Sequence, residues 1–239
     1  MKYSVIIPVL NEEATIAEAI ERAWSAGAGE VIVCDGGSRD ATVRRAAALP
    51  CRLIHSSPGR AVQQNAAAAA AVGDVLVFLH ADCWLEPGGL EPIAAGLADG
   101  RTAGGAFRQR IDAAGLIYRL LERGNACRVR WLRLPYGDQG IFVRRDVFES
   151  LGRFPQIPLM EDVRFMRAFR RRWRPLLLPG PLHVSARRWQ RSGPIRQTLR
   201  NWSLLAAEAC GVPPDRLQRY YPPPSGSGGP EGRRDGGTE

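Results

Sequence analysis

Near its start the chain reads Ser4-Val5-Ile6-Ile7-Pro8-Val9, a continuously apolar run rich in β-branched residues. Such a run is typical of a parallel strand that is buried on both faces. Three similar runs follow at residues 30–34, 52–55 and 74–79, and helical patterns separate them. Four β-α units of this spacing predict an α/β fold, with an open, mainly parallel sheet and helices on both faces.

The second half of the chain has a less regular pattern. We predict extended segments at 103–111 and 140–143, and helices at 117–129, 163–172 and 195–209. This mixture favours one domain over residues 1–212. Residues 213–239 are rich in proline and glycine and poor in apolar side chains. We therefore expect them to form a disordered tail.

The net charge of +9 is unevenly distributed. Residues 1–105 carry a net charge of −4, whereas residues 106–211 carry +13. A basic surface attracts phosphates, whether on a nucleotide, a nucleic acid or an anionic lipid. Lys2 is the only lysine, so arginine supplies nearly all of the positive charge. Bidentate phosphate binding explains this preference, and a GC-rich coding bias explains it equally well.

The five cysteines have no C-x-x-C spacing and are odd in number, which argues against zinc and against a disulfide framework. Reduced thiols in a cytoplasmic protein are the simpler interpretation. The first residues lack the layout of a signal peptide. The longest apolar stretch, residues 66–79, contains Gly73 and Asp74 and is too short to cross a bilayer. We expect a soluble protein that is at most peripheral to the inner face of a membrane.

Polar clusters follow three of the predicted strands: Asn11-Glu12-Glu13, the run from Asp35 to Asp40, and His80-Ala81-Asp82. Ligands of open α/β sheets bind at the carboxyl ends of the strands, so these clusters should converge. Crowded carboxylates require a cation or a hydrogen-bond donor. The run Asp35-Gly36-Gly37-Ser38 is neither a G-x-G-x-x-G loop nor a P-loop. A nucleoside diphosphate with a divalent metal is the better chemical match.

These motifs in combination resemble glycosyltransferase family 2, and most closely its small, stand-alone bacterial members. The residues that carry the resemblance are Pro8-Val9-Leu10-Asn11-Glu12, the run 35–40, Gly59-Arg60-Ala61 with Gln63 and Asn65, and His80-Ala81-Asp82 with Pro87. The resemblance covers about residues 3–190. It implies a GT-A fold and an inverting enzyme that uses a nucleotide-sugar and Mg²⁺ or Mn²⁺. Residues 1–105 would form the nucleotide-binding half, and 106–212 the acceptor half.

The resemblance also implies roles for individual residues. The donor nucleotide would contact Pro8, Asn11, Glu12, Asp35, Gly37, Arg60 and Ala81. Asp82 corresponds to the last residue of the D-x-D motif and would bind the metal. His80 stands in place of the first aspartate, and Asp35-Gly36 replaces the Asp-Asp of many relatives. His183 is a second candidate metal ligand, although a lone histidine is more often structural.

Glu161-Asp162 resembles the family's E-D motif. An inverting transfer needs a base that takes the proton of the acceptor hydroxyl. Asp162 is the candidate base, and Glu161 would support it. Without the resemblance, an acidic pair that interacts favourably with a helix dipole is the simpler interpretation.

Two further segments are candidates for contacts with the acceptor or the diphosphate. Asp138 and Gln139 lie in a polar turn, which an ordinary loop explains almost as well. Arg187-Arg188-Trp189 resembles the end of the Q-x-x-R-W motif of processive members, with Ser185 in place of the glutamine. We expect a single sugar addition, with the arginines neutralising the leaving diphosphate.

Arginines alternate with tryptophan at residues 170–174 and along 196–205. A solvated helix face is the default interpretation, and peripheral contact with an anionic membrane carrying a lipid-linked acceptor is the functional one. Three other classes of protein are alternatives to a glycosyltransferase: a sugar-phosphate nucleotidyltransferase, a nucleic-acid-binding protein, and a catalytically inactive sugar-binding relative. The acidic strand ends favour the transferase. We expect a nucleotide-sugar donor and no nucleic-acid partner.

Overall fold

The computed structural model describes residues 1–220, which form eight strands and ten helices. The strands are β1 (Tyr3–Val9), β2 (Glu30–Asp35), β3 (Arg52–His55), β4 (Val75–Phe78), β5 (Cys83–Leu85), β6 (Gly104–Asp112), β7 (Phe142–Arg144) and β8 (Leu176–Ser185). The helices are α1 (Ile16–Ser25), α2 (Thr42–Ala47), α3 (Arg60–Ala70), α4 (Pro92–Gly96), α5 (Leu116–Leu132), α6 (Arg145–Ser150), α7 (Glu161–Phe169), α8 (Arg187–Ser192), α9 (Pro194–Ala209) and α10 (Pro214–Gln218). The elements predicted from sequence are present, and their ends differ by a few residues.

All eight strands belong to one sheet with the order β3-β2-β1-β4-β7-β6-β8-β5. The first four strands pair in parallel, and β6 also runs parallel to β8. Strand β7 joins the two halves by antiparallel pairing with β4 and β6. Val9 pairs with Asp35 at the ends of β1 and β2, and Asp35 pairs with His55 at the end of β3. The polar residues that follow these strands therefore meet at one edge.

Both faces of the sheet are covered. Along β1, Val5, Ile7 and Val9 belong to one hydrophobic cluster, whereas Ile6 belongs to the other. Each of these four side chains is at most 1% exposed. This burial on both sides explains why the strand is apolar without alternation.

The loop after β1 differs from the prediction. The sequence after β1 predicts a helix over about residues 12–26 with Asn11 as its cap, but α1 begins at Ile16. Asn11 has a φ of 57°, and its side-chain oxygen accepts a hydrogen bond from the Arg39 amide at 2.8 Å. The side chain that would have capped the helix instead joins this loop to the loop after β2.

The predicted disordered tail begins too early. Pro214–Gln218 forms α10, and Leu217 is buried against Leu159 and Leu204. One leucine placed on a short helix provides enough apolar contact to hold these residues. The remainder of the predicted tail, 221–239, lies outside the described residues, and the single-domain boundary stays a prediction.

Among residues 1–220, no helix is long and apolar enough to cross a membrane. The five cysteines, all within that range, are free thiols.

Candidate active site

The loop after β2 is organised by the carboxylate of Asp35. This side chain is 2% exposed and accepts hydrogen bonds from the backbone amides of Gly37, at 2.9 Å, and Ser38, at 3.1 Å. Gly37 has a φ of 96°, a conformation that favours glycine. His55 Nδ1 lies 3.5 Å from Asp35 Oδ2, and its side chain is exposed. Sequence reasoning missed His55, although its position at the end of the third strand was a usable signal.

The loops after β1 and β2 are joined by hydrogen bonds. The Asn11 amide donates to Ser38 Oγ at 2.9 Å, and the Ala41 amide donates to the carboxylate of Glu13 at 3.0 Å. Pro8, in β1, pairs in register with Cys34 in β2. Two of the three predicted polar clusters thus converge as expected.

Glu12 connects these loops to the third cluster. Burial raises the pKa of Glu12, a hydrogen bond from Thr15 Oγ1 opposes this effect, and the charges of Asp82 and Asp40 raise the pKa further. Arg187 acts in the opposite direction. Glu12, Asp82 and Arg187 are therefore close enough to interact electrostatically.

A cavity of about 350 Å³ opens beside this group. Asp82 and Arg187 line it together with Ala81, Trp84 and Arg22, whose guanidinium lies 4.1 Å from the centre of the Trp84 ring. The His80 carbonyl accepts a hydrogen bond from the Cys83 amide, which forms the turn that places Asp82 on the rim. Both carboxylates and guanidinium groups therefore line the cavity, a combination that suits a metal–diphosphate complex.

The residues fit a divalent cation in charge and in donor type. Within residues 1–220 no three His, Cys, Asp or Glu side chains are arranged as a complete metal site. Mg²⁺ and related hard cations are commonly held by one or two carboxylates and completed by substrate phosphates and water. Asp82 and Glu12 offer such carboxylates; the pKa of Glu12 is raised mainly by burial and further by the charge of Asp82, and a cation would compensate this charge.

His183 lies across from the third cluster. It pairs in register with Trp84, stacks on its ring at 5.1 Å, and places Nε2 2.8 Å from the Glu86 carboxylate. Trp84, on which His183 stacks, lines the cavity together with Asp82. The imidazole is thus near the cavity, but Glu86 holds it in this structure.

The E-D motif forms a second polar group. Glu161 is 1% exposed and makes an ion pair with Arg60, the first residue of α3. Burial raises the pKa of Glu161. The positive charge of Arg60 lowers this pKa, and the negative charge of Asp162 raises it further. The structure pairs the Arg60 guanidinium with Glu161 while 34% of the Arg60 side chain stays exposed, and the predicted contact of Arg60 with the donor nucleotide stays a prediction.

Asp162 is fixed by the backbone. Its carboxylate accepts hydrogen bonds from the Gly137 amide at 2.5 Å and from the Val163 amide at 2.8 Å. The first of these ties the start of α7 to the turn that carries Asp138. Because the Asp162 side chain is only partly buried, it remains accessible while its orientation is set.

Arg128 supports this turn and was not found by sequence reasoning. Its guanidinium lies 3.3 Å from the centre of the Tyr136 ring and donates to Gln139 Oε1 at 2.6 Å. Burial lowers the pKa of Arg128, and Tyr136, Asp138 and Asp162 oppose that effect. No sequence signal separates this arginine from its many neighbours in the basic half.

The remaining candidates for contacts with the acceptor or the diphosphate differ in burial and in position relative to the cavity. Gln139 is fully buried and also accepts a hydrogen bond from the Tyr136 amide, so it shapes the turn instead of facing a ligand. Trp189 is 9% exposed and packs in the core beside the cavity. Arg187 lines the cavity. The side chain of Arg188 lies outside the described part of the structure.

One helix links the two polar groups. On α3, Gln63 Nε2 donates to the carbonyls of Val9 and Cys34, both at 2.8 Å, at the ends of β1 and β2. Arg60 lies one turn earlier on the same helix and holds Glu161. The strand-end loops and the E-D motif are thus positioned by the same element.

Comparisons with known proteins agree with this geometry. The model of the family described as "Glycosyl transferase family 2" matches residues 4–174. Glucosyl-3-phosphoglycerate synthase of Mycobacterium tuberculosis is 36% identical over an alignment of 91 residues, which covers 33% of this chain and 28% of the relative. The chain therefore matches less than a third of the length of that curated relative.

Solved structures show the same fold. A complex of the M. tuberculosis synthase with Mn²⁺, uridine diphosphate and glucosyl-3-phosphoglycerate has 22% identity and a TM-score of 0.60, covering 89% of this chain and 81% of that chain. S. aureus TarS 1–349 with UDP-GlcNAc has 20% identity and a TM-score of 0.59, covering 78% and 59%. The predicted GT-A fold is confirmed.

Proposed function

Since this chain belongs to glycosyl transferase family 2, we propose that it transfers a sugar from a nucleoside diphosphate-sugar to an acceptor hydroxyl, with inversion and with the help of a divalent cation. The observation that supports this most directly is the cavity that Asp82 and Arg187 both line, beside Glu12. The carboxylate can hold a cation, and the guanidinium can pair with a diphosphate.

The donor would bind along the edge where β1, β2 and β4 end. Pro8, Asn11, Glu12, Asp35, Gly37 and Ala81 are the proposed contacts. Asp35 already accepts two backbone hydrogen bonds, which hold its carboxylate in one orientation for the base or ribose. Arg60 is a further proposed contact, and its ion pair with Glu161 orients the guanidinium.

Asp82 is the proposed metal ligand, with His183 as the second. A bound Mg²⁺ or Mn²⁺ would neutralise the diphosphate of the leaving group. Arg187, which lines the same cavity, provides positive charge for the diphosphate. For His183 to take part, its ring must exchange the contact with Glu86 for the metal.

Asp162 is the proposed base. The Gly137 and Val163 amides orient its carboxylate, which then accepts the proton of the attacking hydroxyl. Glu161 holds Arg60 and adds negative charge beside Asp162. Asp138, on the turn bonded to Asp162, is the proposed acceptor contact.

We propose uridine diphosphate as the nucleotide of the donor. Two relatives with the same fold were solved with UDP or UDP-GlcNAc. These relatives do not identify the acceptor of this chain. One complex contains glucosyl-3-phosphoglycerate, and the TarS complex contains UDP-GlcNAc. A single-addition reaction on a small or lipid-linked acceptor is compatible with the cavity.

A thermal-shift panel tests the donor site. UDP, GDP, dTDP and CDP are each added with and without Mn²⁺, and the shift in melting temperature reports binding to the native state. We expect UDP to give a shift that requires Mn²⁺. Asp82→Asn should abolish the metal-dependent part. Glu21→Gln, which removes an exposed carboxylate of α1, should leave it unchanged. No shift with any nucleotide would refute the proposal.

A further inference from the structure

Helix α5 carries an apolar stripe that faces away from the protein. Leu116 is 83% exposed, Leu120 59% and Trp131 77%. Exposed Cys127 lies between them. Their spacing of four, seven and four residues places these side chains on one side of the helix. Within α5, Val129 is the one fully buried residue, so this helix leaves much of its apolar surface in contact with solvent.

Helix α9 exposes three large apolar side chains and buries two polar ones. Ile195, Leu199 and Trp202 are 64%, 58% and 61% exposed, and their spacing again selects one face. The opposite face buries Gln197, Leu204 and Glu208. A helix that turns polar side chains inward and apolar ones outward is suited to a surface that is not water.

Both helices are attached to α7 and the residue that follows it. Arg170 Nη1 donates to the Leu132 carbonyl at the end of α5, at 2.6 Å. Arg164 Nε lies 3.1 Å from Glu208 in α9, and Arg167 contacts the same carboxylate. Both helices that carry the apolar stripes are therefore held against the same segment, residues 164–170. The inward carboxylate of Glu208 is compensated by these two arginines, which fixes the rotation of α9.

Positive charge borders the stripes. Arg123 and Arg130 lie seven residues apart along one edge of the α5 stripe, and Arg196 is exposed on α9. The single acidic residue of α5, Glu122, is partly buried in an ion pair with Arg119 at 2.9 Å. Residues 106–211, which contain both helices, carry a net charge of +13.

We propose that the outward faces of α5 and α9 dock onto an anionic lipid bilayer. Leucine, isoleucine and tryptophan side chains would enter the interface between headgroups and acyl chains, and the bordering arginines would contact lipid phosphates. Tryptophan is suited to this interface because its ring is apolar and its N–H is polar. A second copy of the chain fits less well, since a symmetric contact would bring the arginine edges together.

Vesicle flotation of the full chain tests this surface, with vesicles of phosphatidylcholine alone and with phosphatidylglycerol mixed in. We expect binding to the anionic vesicles that weakens as salt rises. The double variants Leu120→Gln/Trp131→Gln and Leu199→Gln/Trp202→Gln should each lower the partition coefficient by about tenfold or more, because each removes apolar area from the interface. Arg123→Gln/Arg130→Gln should lower it by about tenfold on anionic vesicles.

Val72→Gln is the matched control, because Val72 is a 56% exposed apolar residue on neither helix. It should leave vesicle binding unchanged. Melting temperatures near that of the unmodified chain establish that the variants are folded. Absence of binding to anionic vesicles would overturn the proposal, as would binding that both glutamine pairs leave intact. A dimer that the α5 or α9 pair dissociates, without vesicle binding, would assign the surface to a second copy instead.

Discussion

Arg60 and Glu161 form an ion pair between the first residue of α3 and the first residue of α7. The carboxylate is almost fully buried, whereas the Arg60 side chain is 34% exposed. This contact joins the half of the chain that carries the strand-end loops to the half that carries the E-D motif. It gives Arg60 a role as a positioning residue for the proposed base.

Loss of Arg60 should destabilise the protein more than neutralisation of Glu161. Arg60→Met leaves a buried carboxylate without its partner, and we expect a cost of about 2–3 kcal/mol, below the range for fully buried pairs because Arg60 is partly solvated. Glu161→Gln should cost less, because it removes the buried charge. Urea unfolding of the two variants measures the difference.

The same pair predicts a pH dependence. The pKa of Glu161 is raised above its ordinary value of 4.5, mainly by burial, and Arg60 limits the rise. A raised carboxyl pKa means that the folded state binds the proton more tightly, so stability falls as pH rises above 4.5. Arg60→Met should therefore cost more at pH ~8 than at pH ~5. Adding Glu161→Gln should abolish that difference, and a cost independent of pH would contradict the assignment.

Asp162→Asn should strongly slow the reaction of the donor sugar but leave donor binding intact. Asparagine retains a side-chain oxygen for the Gly137 amide, so the turn should persist while the base is lost. We expect hydrolysis of the donor sugar to slow by about 10²–10⁴-fold. Metal-dependent binding of UDP, measured by thermal shift, should change little. A rate within a few-fold of the original would assign Asp162 to the helix start alone.

His183 and Glu86 allow a test of the second metal ligand. His183→Ala should raise the Mn²⁺ concentration that UDP binding requires by about tenfold or more. Glu86→Gln removes the charge that holds the imidazole but keeps the ring, so it should leave metal binding equal or tighter. Glu86 is exposed, and the ion pair should therefore contribute little to stability. Equal effects of both variants would indicate a structural histidine.

Gln63 and Gln64 are neighbours on α3 with opposite expected effects. Each is 4% exposed, but Gln63 bonds to two strand-end carbonyls, whereas the side-chain oxygen of Gln64 has no hydrogen-bond partner among residues 1–220. Gln63→Met should cost about 2 kcal/mol because it removes both bonds. Gln64→Met should be neutral or stabilising, since it replaces an unsatisfied oxygen by apolar atoms. Denaturant unfolding compares them directly.

The sequence pattern predicts the mainly parallel sheet, the succession of strands and helices along the chain, and the edge at which the proposed site lies. The strand β1 is apolar on both faces because both are buried, and parallel strands bring Asp35 and the loop after β1 to one edge. These are consequences of local pattern and of topology. The family motifs then indicated Asp82 and Asp162 as the residues to examine.

Tertiary structure alone decided which partners these residues have. Arg60 and Glu161 are about a hundred residues apart in the chain, and nothing local predicts that they pair. Arg128 and Gln139 likewise acquire their roles from contact, because the turn at residues 137–139 packs back on α5. The apolar face of α9 points outward because Glu208, on the opposite face, forms ion pairs with Arg164 and Arg167. Sequence periodicity identifies an apolar face, but only long-range contacts determine whether it points to the core or away from it.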